Sequence, residues 1–148
     1  MNIVADQNPI KIGFCSNIQD QTVIHTSDTT SPGLASGTSV GDYVTVGRFT
    51  KLTRSIFLFI HAGHGCTLYS CTIESNCLIG MGSTVLDGAL VEKNSILGAG
   101  TVVPPGRLIP SGQMWTGNPA QYVREVSEDE VCFIVFFLFF FFHYFKLL

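Results

Sequence analysis

The chain has 148 residues, 46% of them hydrophobic, with 15 glycines and a formal net charge of −3 at pH 7. That length suits one domain, and 8 basic residues without a Lys or Arg run exclude an extended nucleic-acid surface. The Met1–Lys11 stretch has neither the basic and apolar regions of a secretory signal nor the arginines of a transit helix, so no import signal is expected in it.

In chain order, Ile12, Ile18 and Ile24 open a spacing of six, in IGFCSN, IQDQTV and IHTSDT. A solenoid normally starts with a cap over its first coil. Met1–Pro9 is short and polar for that task, so one or more coils are expected to precede this chain. Ser27–Ser39 reads as a polar loop with a Pro32–Gly33 turn, and the spacing resumes at Val40 and Val46. Residues 48–63 (RFTKLTRSIFLFIHAG) break it. With them removed, Leu68 falls six positions after Val46. The insert is expected to bulge from the repeat, as an extra apolar element or as translated non-coding sequence.

Counting on by six from Ile73 gives Ile79, Val85, Val91, Leu97, Val103 and Ile109. Neither a strand's alternation nor a helical turn produces that period. It is the hexapeptide repeat of a parallel β-helix, in which each unit turns one side chain inward. Three units close a triangular coil, so residues eighteen apart stack: Ile73 under Val91 and Ile109, Ile79 under Leu97. Gly80 and Gly98, like Gly82 and Gly100, share that spacing and are expected at corners, where the lack of Cβ eases the turn. About four coils are expected. The five cysteines, Cys15, Cys66, Cys71, Cys77 and Cys132, include no CxxC pair and read as buried or half-buried thiols of a reducing compartment.

Pro104–Pro105–Gly106 and Ile109–Pro110 finish the solenoid, giving a repeat domain over residues 1–125. A helix and tail follow over 126–148, with Ser127 as N-cap and Glu130 as the capping-box acid. Val131–Leu148 contains eight phenylalanines and no charge before Lys146. Eighteen residues lie near the lower limit for crossing a bilayer. Two readings stay open: a membrane-contacting tail, or non-coding sequence, since a T-rich stretch encodes Phe in one frame.

The segments SNIQDQTVIHT, GDYVTVG…HGCTLYSCTIE, IGMGSTVLDGALVE and PPGRLIPSGQMWTGNPAQYVRE resemble the gamma-class carbonic anhydrase family, and most of all its plant mitochondrial members attached to respiratory complex I. The resemblance covers about Pro9–Glu130 apart from the insert. It implies an all-β, left-handed parallel β-helix with a C-terminal helix, assembled as homo- or heterotrimers with family subunits on the matrix side of the mitochondrial inner membrane.

It also implies a metal site. Active members hold a divalent ion, usually zinc, with three histidines at a subunit interface. The resemblance puts the first ligand on His25 and the second on His64; the third position, five residues on, holds Tyr69. Neutral imidazoles suit zinc, and a water at the open position becomes a usable hydroxide. A phenol stays protonated near neutral pH and is a poor substitute, so zinc is expected to be weak or absent in the isolated chain. The plainer reading of His25 and His64 is hydrogen bonding at a subunit contact. Gln19 and Asp20 match polar residues that orient the site, while the family's arginine-containing RGD segment is replaced by VADQNP. The expectation is a non-catalytic or weakly active subunit with a structural role in complex I. The alternatives are a zinc-dependent carbonic anhydrase and a hexapeptide acyltransferase using a histidine base.

Overall fold

The computed structural model describes residues 2–4, 8–14, 16–26, 37–46 and 65–132. The insert over 48–63, His64, Cys15, the centre of the 27–39 loop and the tail beyond residue 132 lie outside the described residues.

Short strands follow one another in threes. Coil 1 holds β1 (Asn2–Val4), β2 (Ile10–Ile12) and β3 (Asn17–Ile18). Coil 2 holds β4 (Val23–His25), β5 (Thr38–Val40) and β6 (Thr45–Val46). In coil 3 come β7 (Thr67–Tyr69), β8 (Thr72–Ile73) and β9 (Leu78–Ile79). Coil 4 has β10 (Thr84–Val85), β11 (Leu90–Val91) and β12 (Ile96–Leu97). Coil 5 has β13 (Val102–Val103), β14 (Leu108–Ile109) and β15 (Gln113–Thr116). Every third strand pairs in parallel, so the coils wind into a left-handed β-helix with three faces. Face I is β1-β4-β7-β10-β13, face II is β2-β5-β8-β11-β14, and face III is β3-β6-β9-β12-β15 with β16 (Gln121–Glu125) added antiparallel.

The register follows the spacing of six. Ile73, Val91 and Ile109 are stacked partners on face II, and Ile79, Leu97 and Trp115 on face III. These side chains and their face I counterparts Ile24, Leu68, Val85 and Val103 form one continuous buried core. Each such burial contributes about 1.5–3 kcal/mol against the entropy of ordering the chain.

Three expectations are corrected. The described residues form five coils rather than about four, because Asn2–Val4 pairs with Val23–His25 as β1. That strand escapes the count because Ile3 and Ile12 are nine apart, a longer corner than the repeat allows. The loop ends earlier than Ser39, since Thr38 and Ser39 already lie in β5. The two glycine pairs also have different reasons to be glycine. Gly82 and Gly100 have φ of 66° and 67° with open space where a Cβ would stand. A Cβ on Gly80 would instead lie 2.5 Å from the Ala99 nitrogen of the next coil, and one on Gly98 would lie 2.8 Å from Thr116 Oγ1. The first pair is required by backbone conformation, the second by close approach.

Each corner repeats a left-handed residue. Gln21, Gly65, Gly82 and Gly100 serve one corner, Ser70, Gly88 and Gly106 the second, and Tyr43, Asn76, Asn94 and Gly112 the third. Asparagine tolerates that conformation better than most residues, and Asn76 Nδ2 donates to Asn94 Oδ1 at 3.2 Å. Cys66, Cys71 and Cys77 are all buried in coil 3, one beside each corner. Cys66 Sγ reaches the Gly80 carbonyl at 3.2 Å, as Ser83 Oγ does the Gly98 carbonyl one coil on at 3.0 Å.

Face III is covered on its outer side as well. Leu78 and Ile96 point outward yet are buried, packed with Tyr43, Met114 and Val126. The helix then begins as expected over 128–132. Glu130 N donates to Ser127 Oγ at 3.3 Å, and Ser127 N donates to Glu130 Oε2 at 3.0 Å. Arg124 adds a two-pronged contact to the same carboxylate, 2.7 Å on each side.

Candidate functional site

His25 closes β4 and Tyr69 closes β7, and the parallel register makes them partners across adjacent coils. Both side chains point out of face I at its corner with face II. Their rings stack in parallel with centroids 4.9 Å apart. The backbone holds the pair: Ser70 N donates to the His25 carbonyl at 3.1 Å, and Thr38 Oγ1 donates to the same oxygen at 2.8 Å.

The chain turns this corner unusually tightly after Tyr69. Leu68 to Ile73 takes five residues, where Val85 to Val91 and Val103 to Ile109 each take six. Ser70 is fully buried and has φ of 42° in a column otherwise filled by Gly88 and Gly106. A non-glycine residue there stores strain next to the stacked rings. Two buried polar atoms on the same corner, Thr26 Oγ1 below and Asp87 Oδ1 above, have no hydrogen-bond partner among the described residues. Burial pushes the neighbouring Cys71 thiol up to about 12, and the Asp87 carboxylate adds to the rise. The motif reading missed Thr26, Ser70 and Asp87. The five-residue step from Leu68 to Ile73 was the available signal.

The expected site residues are therefore only partly brought together. His25 and Tyr69 meet; His64 lies outside the described residues. Gln19 and Asp20 sit at the other end of β4, on the corner where face III passes to face I, with Gln19 N bound to the Val46 carbonyl at 3.0 Å. The length of β4 separates them from the His25 ring. Among the described residues no three His, Cys, Asp or Glu groups gather as a metal would need. The donors that do meet fit zinc poorly. An imidazole lone pair lies in its ring plane, and the parallel Tyr69 ring lies in a different plane. Tyr69 also offers a phenol oxygen where a third imidazole nitrogen would suit zinc better.

With this geometry in view, comparison with known proteins places the chain. A family model described as bacterial transferase hexapeptide (six repeats) matches residues 70–105. The solved hexapeptide transferase family protein from Anaplasma phagocytophilum superposes with a TM-score of 0.73 at 32% identity, covering 92% of this chain and 67% of that one. The chain is a member of the hexapeptide-repeat superfamily. A probable carbonic anhydrase of Methanocaldococcus jannaschii is 42% identical over 129 residues, 87% of this chain and 67% of that protein. The mitochondrial gamma carbonic anhydrase 2 of Arabidopsis thaliana is 37% identical over 129 residues. Within the superfamily, the chain belongs to the gamma-carbonic-anhydrase-like proteins. It spans 87% of its own length in the Arabidopsis match but only 41% of that relative's.

Proposed function

We propose that this chain is a non-catalytic or weakly active gamma-carbonic-anhydrase-like subunit whose role is assembly. The observation that carries the reading is Tyr69: a phenol stacked flat on His25 stands where the family resemblance calls for a third imidazole. Assembly is supported by the shape and chemistry of face I. Its outward residues Val23, Thr67, Thr84 and Val102, with His25, Tyr69 and Leu86 along the edge, form a charge-free surface across four coils. Face III, by contrast, is already covered by the chain's own Val126. A flat uncharged sheet face of this kind suits burial against another subunit. The proposed assembly is a trimer of like or related subunits. The names of the plant relatives support a mitochondrial place; the matrix side of the inner membrane and respiratory complex I are proposed from the family resemblance alone.

Zinc stoichiometry and CO2 hydration of the full chain test the catalytic half of this proposal, with Tyr69→His measured beside it. The expected result is substoichiometric zinc and near-background hydration for the unaltered chain, with a gain of metal in the variant. One tight zinc per subunit with rapid hydration in the unaltered chain would overturn it. Light scattering tests the assembly half, where a trimer is expected. The acyltransferase reading leans on the transferase wording of the family model and of solved relatives such as the Anaplasma protein and explains nothing about Tyr69.

A further inference from the structure

At the upper end of the prism two short segments line one cleft. The first is the Pro104–Arg107 turn, on the corner between faces I and II. Pro105 and Gly106 are the residues such a turn selects, since one fixes its φ and the other takes φ of 66°. Arg107 N closes the turn by donating to the Pro104 carbonyl at 3.2 Å. The second segment is the return after β15, which sits above β13. Val102 N donates to the Gly117 carbonyl at 3.0 Å, and Ala120 N donates to the Val102 carbonyl at 2.8 Å. The cleft has a volume of about 540 Å³ and is lined by Pro104, Pro105, Arg107, Pro119, Ala120 and Gln121.

Arg107 carries the positive charge of this lining, and its guanidinium lies over the Trp115 ring, 5.0 Å from the centroid. Trp115 is itself held in place. It is buried at the end of the core, its Nε1 donates to Gln113 Oε1 at 3.0 Å, and the Tyr122 ring meets it edge-on at 6.2 Å. The stack therefore orders the guanidinium before any ligand arrives, which lowers the cost of binding. Its N–H edge stays available, and among the described residues no carboxylate forms an ion pair with it. Water would satisfy that edge too, so the cation alone makes no site. The proline-rich walls beside it supply the other half: a rigid apolar surface with a few polar groups to fix orientation.

One guanidinium matches one negative charge, and its planar edge matches the two oxygens of a carboxylate. A phosphate dianion would call for further donors, and the other polar side chain in the lining is the neutral Gln121. We infer that this cleft binds a small organic monocarboxylate with a flat apolar body, the carboxylate on Arg107 and the body against the prolines. The inference stands apart from the assembly and catalytic readings above, since neither uses Arg107 or the return after β15.

Trp115 is the only tryptophan of the chain, so its fluorescence and its indole N–H resonance report on the cleft directly. The full chain is titrated with phenylacetate, with acetate (no apolar body), with phenylacetamide (no charge) and with inorganic phosphate. Phenylacetate is expected to give a saturable change, and each of the others to bind about tenfold or more weakly. Arg107→Gln is expected to weaken phenylacetate about tenfold or more and to leave phenylacetamide unchanged, while Arg107→Lys recovers only part of the loss. Melting curves check folding; should Arg107→Gln fail to fold, the contrast between phenylacetate and its amide in the unaltered chain carries the same test. If Arg107 serves only to cover Trp115, Arg107→Gln alters the ligand-free spectrum but no titration saturates, and the inference falls. It falls as well if phosphate binds as tightly as phenylacetate, or if phenylacetate binds the folded Arg107→Gln variant unchanged.

Discussion

Coils 4 and 5 differ from coils 2 and 3 in one respect that organises the whole molecule. From Ile73 to Ile109 the repeat runs without interruption, and partners on faces II and III stand eighteen apart. Between Ile24 and Leu68 the same face I pairing spans 44 positions and is followed by the one short corner. The regular coils present Thr, Leu and Val outward and hold the core. The irregular ones hold His25, Tyr69 and Ser70. A stacked repeat tolerates departures where chain enters or leaves a corner, because each coil touches only its neighbours. Unusual side chains can collect there without loss of the core.

Substitution in each region sharpens the contrast, and the regular coils should show the largest effects. Leu97→Ala opens a cavity between Ile79 and Trp115 and is expected to cost about 2–5 kcal/mol, read as the midpoint shift in urea. Equal loss from Tyr69→Ala would break the distinction between core and site. Gly80→Ala comes next. Its added Cβ meets the backbone of Gly98 and Ala99, and overpacking of that kind costs about 1–3 kcal/mol. Gly82→Ala meets only the conformational penalty, about 1 kcal/mol. Ser70→Gly should gain stability by a similar amount, since the native φ suits glycine, although glycine's larger unfolded-state entropy offsets part of it. Stabilisation at Ser70 beside destabilisation at Gly82 would locate the stored strain at the irregular corner.

These cases also show what could be read beforehand. The inward columns were legible because a period of six is a strong pattern and its side chains from Ile73 to Ile109 are all aliphatic. The capping box was legible because Ser127 and Glu130 act within one turn. Gly80 and Gly82 could not be told apart, since close approach and positive φ both select glycine and leave the same letter. The His25–Tyr69 stack was hidden for another reason. It depends on coil register, and the 27–39 loop and the insert separate the partners by 44 positions. Resemblance pointed to both residues as ligand positions, but only the register shows their rings lying flat on one another.

Two smaller effects probe the ends of the comparison. The Arg124 hydrogen bonds, followed by the Ser127 N–H, pull the Glu130 carboxyl down to about 2 from 4.5. A depressed carboxyl stabilises the fold above its unfolded value and loses that contribution as pH falls from about 4.5 toward about 2. The pair is largely exposed, so Glu130→Gln should lower the melting temperature by only about 1–3 °C at pH 7, with the difference vanishing near pH 2. The smallest signal is chemical. Burial holds Cys71 and Cys77 at about 12 and raises Cys66. A thiol reagent at pH 8 should therefore leave all three unmodified in the folded chain and label the exposed Cys132. Rapid labelling of Cys71 would show that the short corner opens on its own.

The unequal spacing of the coils also has a kinetic meaning. Closing a loop costs entropy that grows with the logarithm of its length, so pairings eighteen positions apart form more readily than the 44-position pairing of β4 with β7. The difference is only about 0.8 kcal/mol by that scaling, but it acts before any core contact across the insert can repay it. Folding is thus expected to nucleate among β8 to β15 and to spread downward. The surface that carries His25 and Tyr69 then takes shape last, on a scaffold already complete above it.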